Sequence, residues 1–387
     1  MRVVVTGQVG LDKKPFLARA AELARGRGGD LAVFNVGKMM YAEAPDVAPG
    51  KILDLPLSRL NGLRRSVFKD ILASCRNRPN VIVNTHATFR WRHGLFYAFD
   101  YDHMKALEAD LYVVVVDNID RVHYRLVRDG HVDHTLKDLM VWREEEILAT
   151  ELLSRIVCPS PPSGQASAAG GGYGRFFILA RGEGDDAADA LVNLIFNKNL
   201  KKAYLSFPMT HADTGRAGGE ELSSEIDQFR REMRRHFICF DPGDLEEKFL
   251  ATLALKAVEE GHRTVETGPP GERAVMETHQ LLDIIPDIDG QIYARDFKLI
   301  DQADMIVSLI PELPDGRPAI SSGVERELQH AHEATRDTFV IWRPKVAPSP
   351  FITETATHVF PTVEAAVKFF LENTYIPHPA AGSLFEQ

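Results

Sequence analysis

The chain has 387 residues, 44% of them hydrophobic, with a net charge of −10 and a pI of about 5.8. That length makes two domains the default, and the acidic balance argues against a nucleic-acid-binding surface, which needs basic clusters. Cys75, Cys158 and Cys239 are odd in number and lie far apart, without CxxC or Cys/His spacing, which argues against a disulfide framework and a structural zinc. No apolar run approaches the roughly 20 residues of a membrane span. MRVVVTG at the start reads as a buried strand and not as a signal peptide. The expectation is a cytoplasmic protein with no membrane and no nucleic-acid partner.

In chain order, RVVVT (2–6) is a short apolar run ending in glycine, followed by helical spacing over 16–26. A second apolar run covers 31–35, helical spacing covers 64–74, and VIVN (81–84) and LYVVVVD (111–117) are runs of strand length. Apolar runs between helices signal a parallel sheet covered on both faces. A helix over 144–156 leads into PSPPSGQASAAGGGYG (159–174), a low-complexity stretch expected to be a flexible insertion. One more strand (176–179) and helix (187–196) complete the first half. The domain boundary is therefore placed at 198/199 and not at the low-complexity stretch.

The second half restarts with AYLSF (203–207), then a basic-faced helix over 226–236 and a strand over 237–241. A mostly helical segment fills about 243–290. The pattern ends with a helix (297–303), a strand (305–310), a helix (324–334), a strand (338–342) and a helix (363–372). The fold class is α/β, with two doubly wound parallel-sheet domains, 1–198 and 199–387.

The stretch 291–331 carries the densest chemistry. Asp296 precedes one apolar strand by one helix, Asp304 stands at that strand's mouth, and Ser321, Ser322 and Gly323 form a small-residue turn. Glu327 sits one turn into the next helix. A small-residue turn opening a helix offers backbone N–H groups to an anion, and a carboxylate one turn further in can reach the attached sugar. The combination reads as a nucleotide site with carboxylate chemistry beside it. Asp296 and Asp304 are candidates for base and sugar contacts. No metal is indicated.

GQVGLDKK (7–14) follows the first strand and opens a helix, the position of a phosphate-binding loop of pattern GxxxxGK[ST]. Gly7 and Lys13 fit, and Gly10 lies within the loop as a further candidate for nucleotide binding, with Lys14 beside Lys13. Asp12 replaces the second glycine and Lys14 replaces the hydroxyl residue that would hold Mg²⁺. With FNVGKMMYAEA (34–44), VIVNTHATFRWRHGLFYAFD (81–100), LYVVVVDNIDRVHYRLVRD (111–129) and REEEILATELLSRI, this half resembles archaeal-type adenylate kinases. The resemblance implies a bound nucleotide such as ATP, contacted by Lys13, with Arg90, Arg128 and Arg143 as candidate phosphoryl clamps. Asn84 stands where that family usually has an acidic residue. Lys14 and Asn84 therefore leave the metal without its usual partners, and phosphoryl transfer depends on the metal. A retained nucleotide pocket with weak or no kinase activity is expected.

The second half resembles the nucleoside 2-deoxyribosyltransferase superfamily, most closely its branch that hydrolyses 2′-deoxynucleoside 5′-monophosphates. AYLSF, YARDFKLIDQADMIV, SSGVEREL and HVFPTVEAAVKFF carry the resemblance. It places the nucleophile on Glu327 rather than Glu325, a 5′-phosphate on Ser321 and the Gly323 N–H, and Tyr204 in the lining. It also implies a homo-oligomer. Cleaving a C1′–N bond builds oxocarbenium character that a carboxylate can attack or stabilise, while a second carboxyl helps the base depart. The loop Phe207-Pro208-Met209-Thr210-His211 departs from the family's glycine-serine turn and alters one side of the pocket. The preferred reading is a nucleotide N-glycosidase that needs no cofactor for its chemistry, with the kinase-like half binding nucleotide or regulating. The alternatives are a nucleotide kinase fused to a deoxyribosyltransferase salvage domain, and a non-catalytic nucleotide sensor.

Overall fold

The computed structural model describes residues 1–91, 94–131, 134–157, 176–209, 219–269 and 271–377. The 159–174 stretch, Cys158, Thr210 and His211 lie outside the described residues. In chain order the first elements are β1 (Arg2–Thr6), α1 (Lys13–Gly26), β2 (Ala32–Asn35), α2 (Val36–Glu43), α3 (Leu57–Cys75) and β3 (Val81–Asn84). A hairpin of β4 (Thr88–Trp91) and β5 (Gly94–Tyr97) follows, then α4 (Tyr101–Leu107), β6 (Leu111–Val116), α5 (Ile119–Arg128), α6 (Leu136–Val157), β7 (Phe176–Ala180) and α7 (Asp186–Phe196). Next come β8 (Lys202–Ser206), α8 (Gly219–His236), β9 (Ile238–Phe240), α9 (Lys248–Glu259), the hairpin β10 (Thr264–Thr267) and β11 (Ala274–Glu277), and α10 (Thr278–Asp301). The chain closes with β12 (Met305–Ile310), α11 (Ser322–Glu333), β13 (Asp337–Trp342), α12 (Pro350–Thr353), β14 (His358–Phe360) and α13 (Val363–Glu372).

Two five-stranded parallel sheets result, β2-β3-β1-β6-β7 and β14-β13-β12-β8-β9. Both are doubly wound. The strands of the first are near-continuous apolar runs because helices cover both faces: Val3, Val4, Val5, Ile82, Val83 and Val113 are fully buried.

The described residues divide into two compact units, 1–157, 176–195 and 245–291 in one and 196–244 and 292–377 in the other. The second domain read from the sequence runs unbroken from 199 to 387, whereas its 245–291 segment packs with the first unit. Buried charge pairing accounts for this. Glu247 accepts from Arg143 at 2.7 and 2.9 Å and from the Ile119 N–H at 2.7 Å. Glu272 accepts from Arg125 at 3.0 and 2.7 Å.

In the second unit, alternation along the strands sorts side chains onto two faces. Ala203, Leu205, Phe207, Met305, Val307, Leu309 and Phe339 pack with α8 and α13 in one apolar core. Tyr204, Ser206, Ile306 and Ser308 take the opposite face. β8 connects to β9 on one side and β12 to β13 on the other, so the connections diverge between β8 and β12. In open α/β sheets that divergence opens a ligand crevice at the carboxyl ends of the two strands.

Candidate functional site

Glu327 lies at that crevice. Its carboxylate accepts from the Tyr204 hydroxyl at 3.0 Å and from the Ser206 hydroxyl at 2.6 Å. Ser308 Oγ lies 3.3 Å from Ser206 Oγ. Tyr204, Ser206 and Ser308 are fully buried. Burial raises the Glu327 pKa to about 7, the nearby charge of Asp296 adds to the rise, and the two hydroxyl hydrogen bonds oppose it. The Tyr204 hydroxyl is pushed well above its ordinary range by burial and by the charges of Glu327 and Asp296, so it stays a donor. Asp296 is buried, and Arg295 Nε donates to its Oδ1 at 3.2 Å.

Ser321 caps α11: its Oγ accepts from the Val324 N–H at 3.3 Å, a local bond that fixes where the helix begins. Ser322 and Gly323 follow, exposed, in the first turn. Their N–H groups open toward solvent at the positive end of the helix.

Asp304 is not brought to this cluster. It precedes β12 at the amino end of the sheet, where its Oδ2 accepts from the Lys202 N–H and Nζ, both at 2.8 Å. Lys202 opens β8, whereas Ser206 closes it. Four residues of strand separate the ends, roughly 13 Å. Asp304 is a fastener between two strand starts, and the catalytic role read for it from the sequence is corrected on that ground. Asp304→Asn should change any turnover at the Glu327 site by less than about 3-fold. It should lower stability by about 1 kcal/mol, as a half-exposed ion pair contributes. A kinetic assay beside a denaturant melt checks both. Ser206, Ser308 and Arg295 were missed by the sequence reading, although period-two alternation from Tyr204 points to Ser206.

In the first unit the loop after β1 is tightly built. Gly7 has φ +135°, and a Cβ there would lie 2.6 Å from the Val115 carbonyl oxygen, so only glycine fits. Gly10 has φ +90° against the Val122 carbonyl, and Asp12 is left-handed at φ 49°. Lys13 is buried, with Nζ on the Gly7 carbonyl and 3.3 Å from His86 Nδ1. Burial lowers the Lys13 pKa to about 7, opposed by the charge of Glu146. Burial and the Lys13 charge hold His86 well below its ordinary range.

Glu146, also absent from the sequence reading, takes the Gly7 N–H at 2.9 Å and the Ala87 N–H, Thr88 N–H and Thr88 hydroxyl at 2.8 Å each. A protein carboxylate thus occupies the first donor of the loop. The three candidate clamps are each tied to a carboxylate. Arg90 bonds Glu145 at 3.0 Å, Arg128 bonds Asp12 at 3.0 and 3.1 Å, and Arg143 holds Glu247. Lys14 is exposed, and Asn84 donates to Asn35 Oδ1 at 2.8 Å. Among the described residues no group of three His, Cys, Asp or Glu side chains is placed to hold a metal ion. None of the described helices is long and apolar enough to cross a membrane.

The fold and these two sites define a two-unit α/β protein whose N-terminal part is adenylate kinase-like. The adenylate kinase of Pyrococcus horikoshii is 27% identical over 157 residues, which are 40% of this chain and 76% of that protein. The adenylate kinases of Pyrococcus abyssi and Pyrococcus furiosus are each 26% identical over the same shares. No family model matches the chain.

Proposed function

We propose that the second unit is a nucleotide N-glycosidase with Glu327 as its nucleophile. One observation carries this reading. A half-buried carboxylate, held by two hydroxyl donors and raised to a pKa of about 7, sits beside a buried one where the connections of the sheet diverge. The resemblance of 203–241 and 291–373 to the nucleoside 2-deoxyribosyltransferase superfamily supports the same roles. The Glu327 carboxylate attacks C1′, the C1′–N bond breaks, and the base leaves with its electron pair and takes up a proton. Water then opens the glycosyl ester, returning the carboxylate and giving a sugar phosphate. Asp296 orients the sugar and assists departure of the base. The exposed N–H groups of Ser322 and Gly323, with the Ser321 hydroxyl, face the 5′-phosphate.

Incubation with a panel of nucleoside mono-, di- and triphosphates, followed by chromatography for free base, tests the reading. Absence of base from every member sinks it. Because the nucleophile must be ionised and its pKa is about 7, base release should rise with pH through about 7 and then level off. A rate that falls over the same range assigns Glu327 the acid role instead.

The first unit, on its similarity to adenylate kinases, binds a nucleotide such as ATP at Lys13 and transfers phosphate poorly. Glu146 on the Gly7 N–H and the unsuited Lys14 and Asn84 support this. Calorimetry with ATP and AMP, then a phosphotransfer assay with Mg²⁺, separates binding from transfer.

A further inference from the structure

Arg295 is a part of the Glu327 site to which the reaction above gives no role. It is only 5% exposed, on α10 next to Asp296. Its Nε is spent on Asp296 Oδ1 at 3.2 Å, while Nη1, fully buried, has no hydrogen-bond partner. Its charge is felt at the Tyr204 hydroxyl, which itself donates to Glu327. A buried guanidinium N–H without an acceptor costs on the order of 1–3 kcal/mol, so such a donor calls for a partner group.

The chemistry of that group follows from its neighbours. Arg offers donors only and a carboxylate offers acceptors only. A phosphate on Nη1 would bring its charge against Asp296 and Glu327. A lone carbonyl would satisfy Nη1 and turn another acceptor toward Asp296. Hydroxyls suit both, because each donates and accepts. The edge of a base also mixes donors and acceptors, but it lies away from C1′, whereas the charge of Asp296 acts on the carboxylate that faces C1′. The hydroxyl nearest C1′ is the one on C2′.

Resting on the glycosidase reading of this site, we propose that Arg295 and Asp296 together read the 2′,3′-diol of a ribose, Nη1 donating to O2′ and the Asp296 carboxylate accepting from the neighbouring hydroxyl, so that the substrate is a ribonucleotide and not a 2′-deoxynucleotide. Hydrogen bonds to the hydroxyl beside the anomeric carbon strengthen as charge builds there, which makes this contact useful in the transition state as well as in binding.

The test compares binding of D-ribose 5-phosphate and 2-deoxy-D-ribose 5-phosphate to the full chain by calorimetry, with Arg295→Met and Arg295→Lys alongside. The wild-type protein should bind the ribose compound about 10-fold or more tightly than the deoxy compound. Both variants should lose that gap by weakening only the ribose compound. Arg295→Lys keeps a cation beside Asp296, so it preserves the fold if Arg295→Met does not. Equal binding of the two sugars, no binding of ribose 5-phosphate, or equal loss of both in the variants overturns the proposal. Base release keeps the two readings apart. If no nucleotide yields free base but the ribose preference is present and depends on Arg295, the diol reading stands and the glycosidase reading falls. If deoxynucleotides are cleaved as fast as ribonucleotides, the reverse holds.

Discussion

Under the proposed glycosidase reaction, Glu327→Gln should abolish base release and at the same time make the protein more stable at alkaline pH. The variant keeps the shape and an acceptor for the Tyr204 hydroxyl but cannot carry the charge that attacks C1′. A loss of at least about 10³-fold is expected; a residual rate within about tenfold, roughly 1.4 kcal/mol of barrier, sinks the nucleophile assignment. Stability moves the other way. The Glu327 pKa is raised in the folded protein from 4.5 to about 7. Its favourable contribution, that of a neutral buried acid, is therefore complete below pH 4.5 and is lost as pH rises through about 7. At pH 8 the wild-type chain holds a buried charge that the variant lacks. Allowing for the partial exposure of the residue, the gain is about 2 kcal/mol at pH 8 and close to zero at pH 4. Denaturant melts at the two pH values check it, and a pH-independent difference would show that Glu327 is not desolvated.

Lys13→Met should stabilise the first unit by about 3–4 kcal/mol at pH 7 while removing nucleotide binding there. The Lys13 pKa falls from 10.5 to about 7 on folding because the ammonium is buried against the Gly7 carbonyl and His86. A depressed base contributes most above its unfolded pKa, and that contribution is lost as pH falls toward about 7. The advantage of the variant should thus be near its maximum at pH 7 and shrink toward pH 10. A constant gap across that range is the contrary result. The same shift predicts that an anion binding at Lys13 draws a proton onto the amine, visible as a buffer-dependent heat in calorimetry at pH 7.5. A loop lysine that costs stability and is retained fits a residue kept for its ligand.

Much of the fold was legible because parallel strands covered on both faces are apolar nearly throughout. Arg2–Thr6, Val81–Asn84 and Met305–Ile310 stand where their runs of Val, Ile and Leu place them. The hairpins β4–β5 and β10–β11 were not read. FRWRHGLFY has no clean alternation, since β5 is largely exposed, and β11 alternates over only four residues. The return of 245–291 to the first unit was also invisible. Arg143 and Glu247 lie 104 residues apart, and nothing local marks either as a partner. At the site, spacing singled out Glu327 and Asp296, and the family resemblance added Tyr204; the structure brings Tyr204 onto Glu327 and the charge of Asp296 near both. Asp304 failed for a reason that was present in the sequence. A residue that precedes a parallel strand stands at its amino end, and the crevice lies at the other. Nothing local in the sequence marks Arg295, and only its burial and its unsatisfied nitrogen distinguish it.

The Arg143–Glu247 pair also bears on how such a chain could have been assembled. Its two members are fully enclosed and come from opposite sides of residue 198. Once the pair existed, neither half was a free cassette. Recombination at residue 198 would take from Arg143 the carboxylate that holds it and leave it the more distant charges of Glu144 and Asp117, a loss on the order of 3–5 kcal/mol.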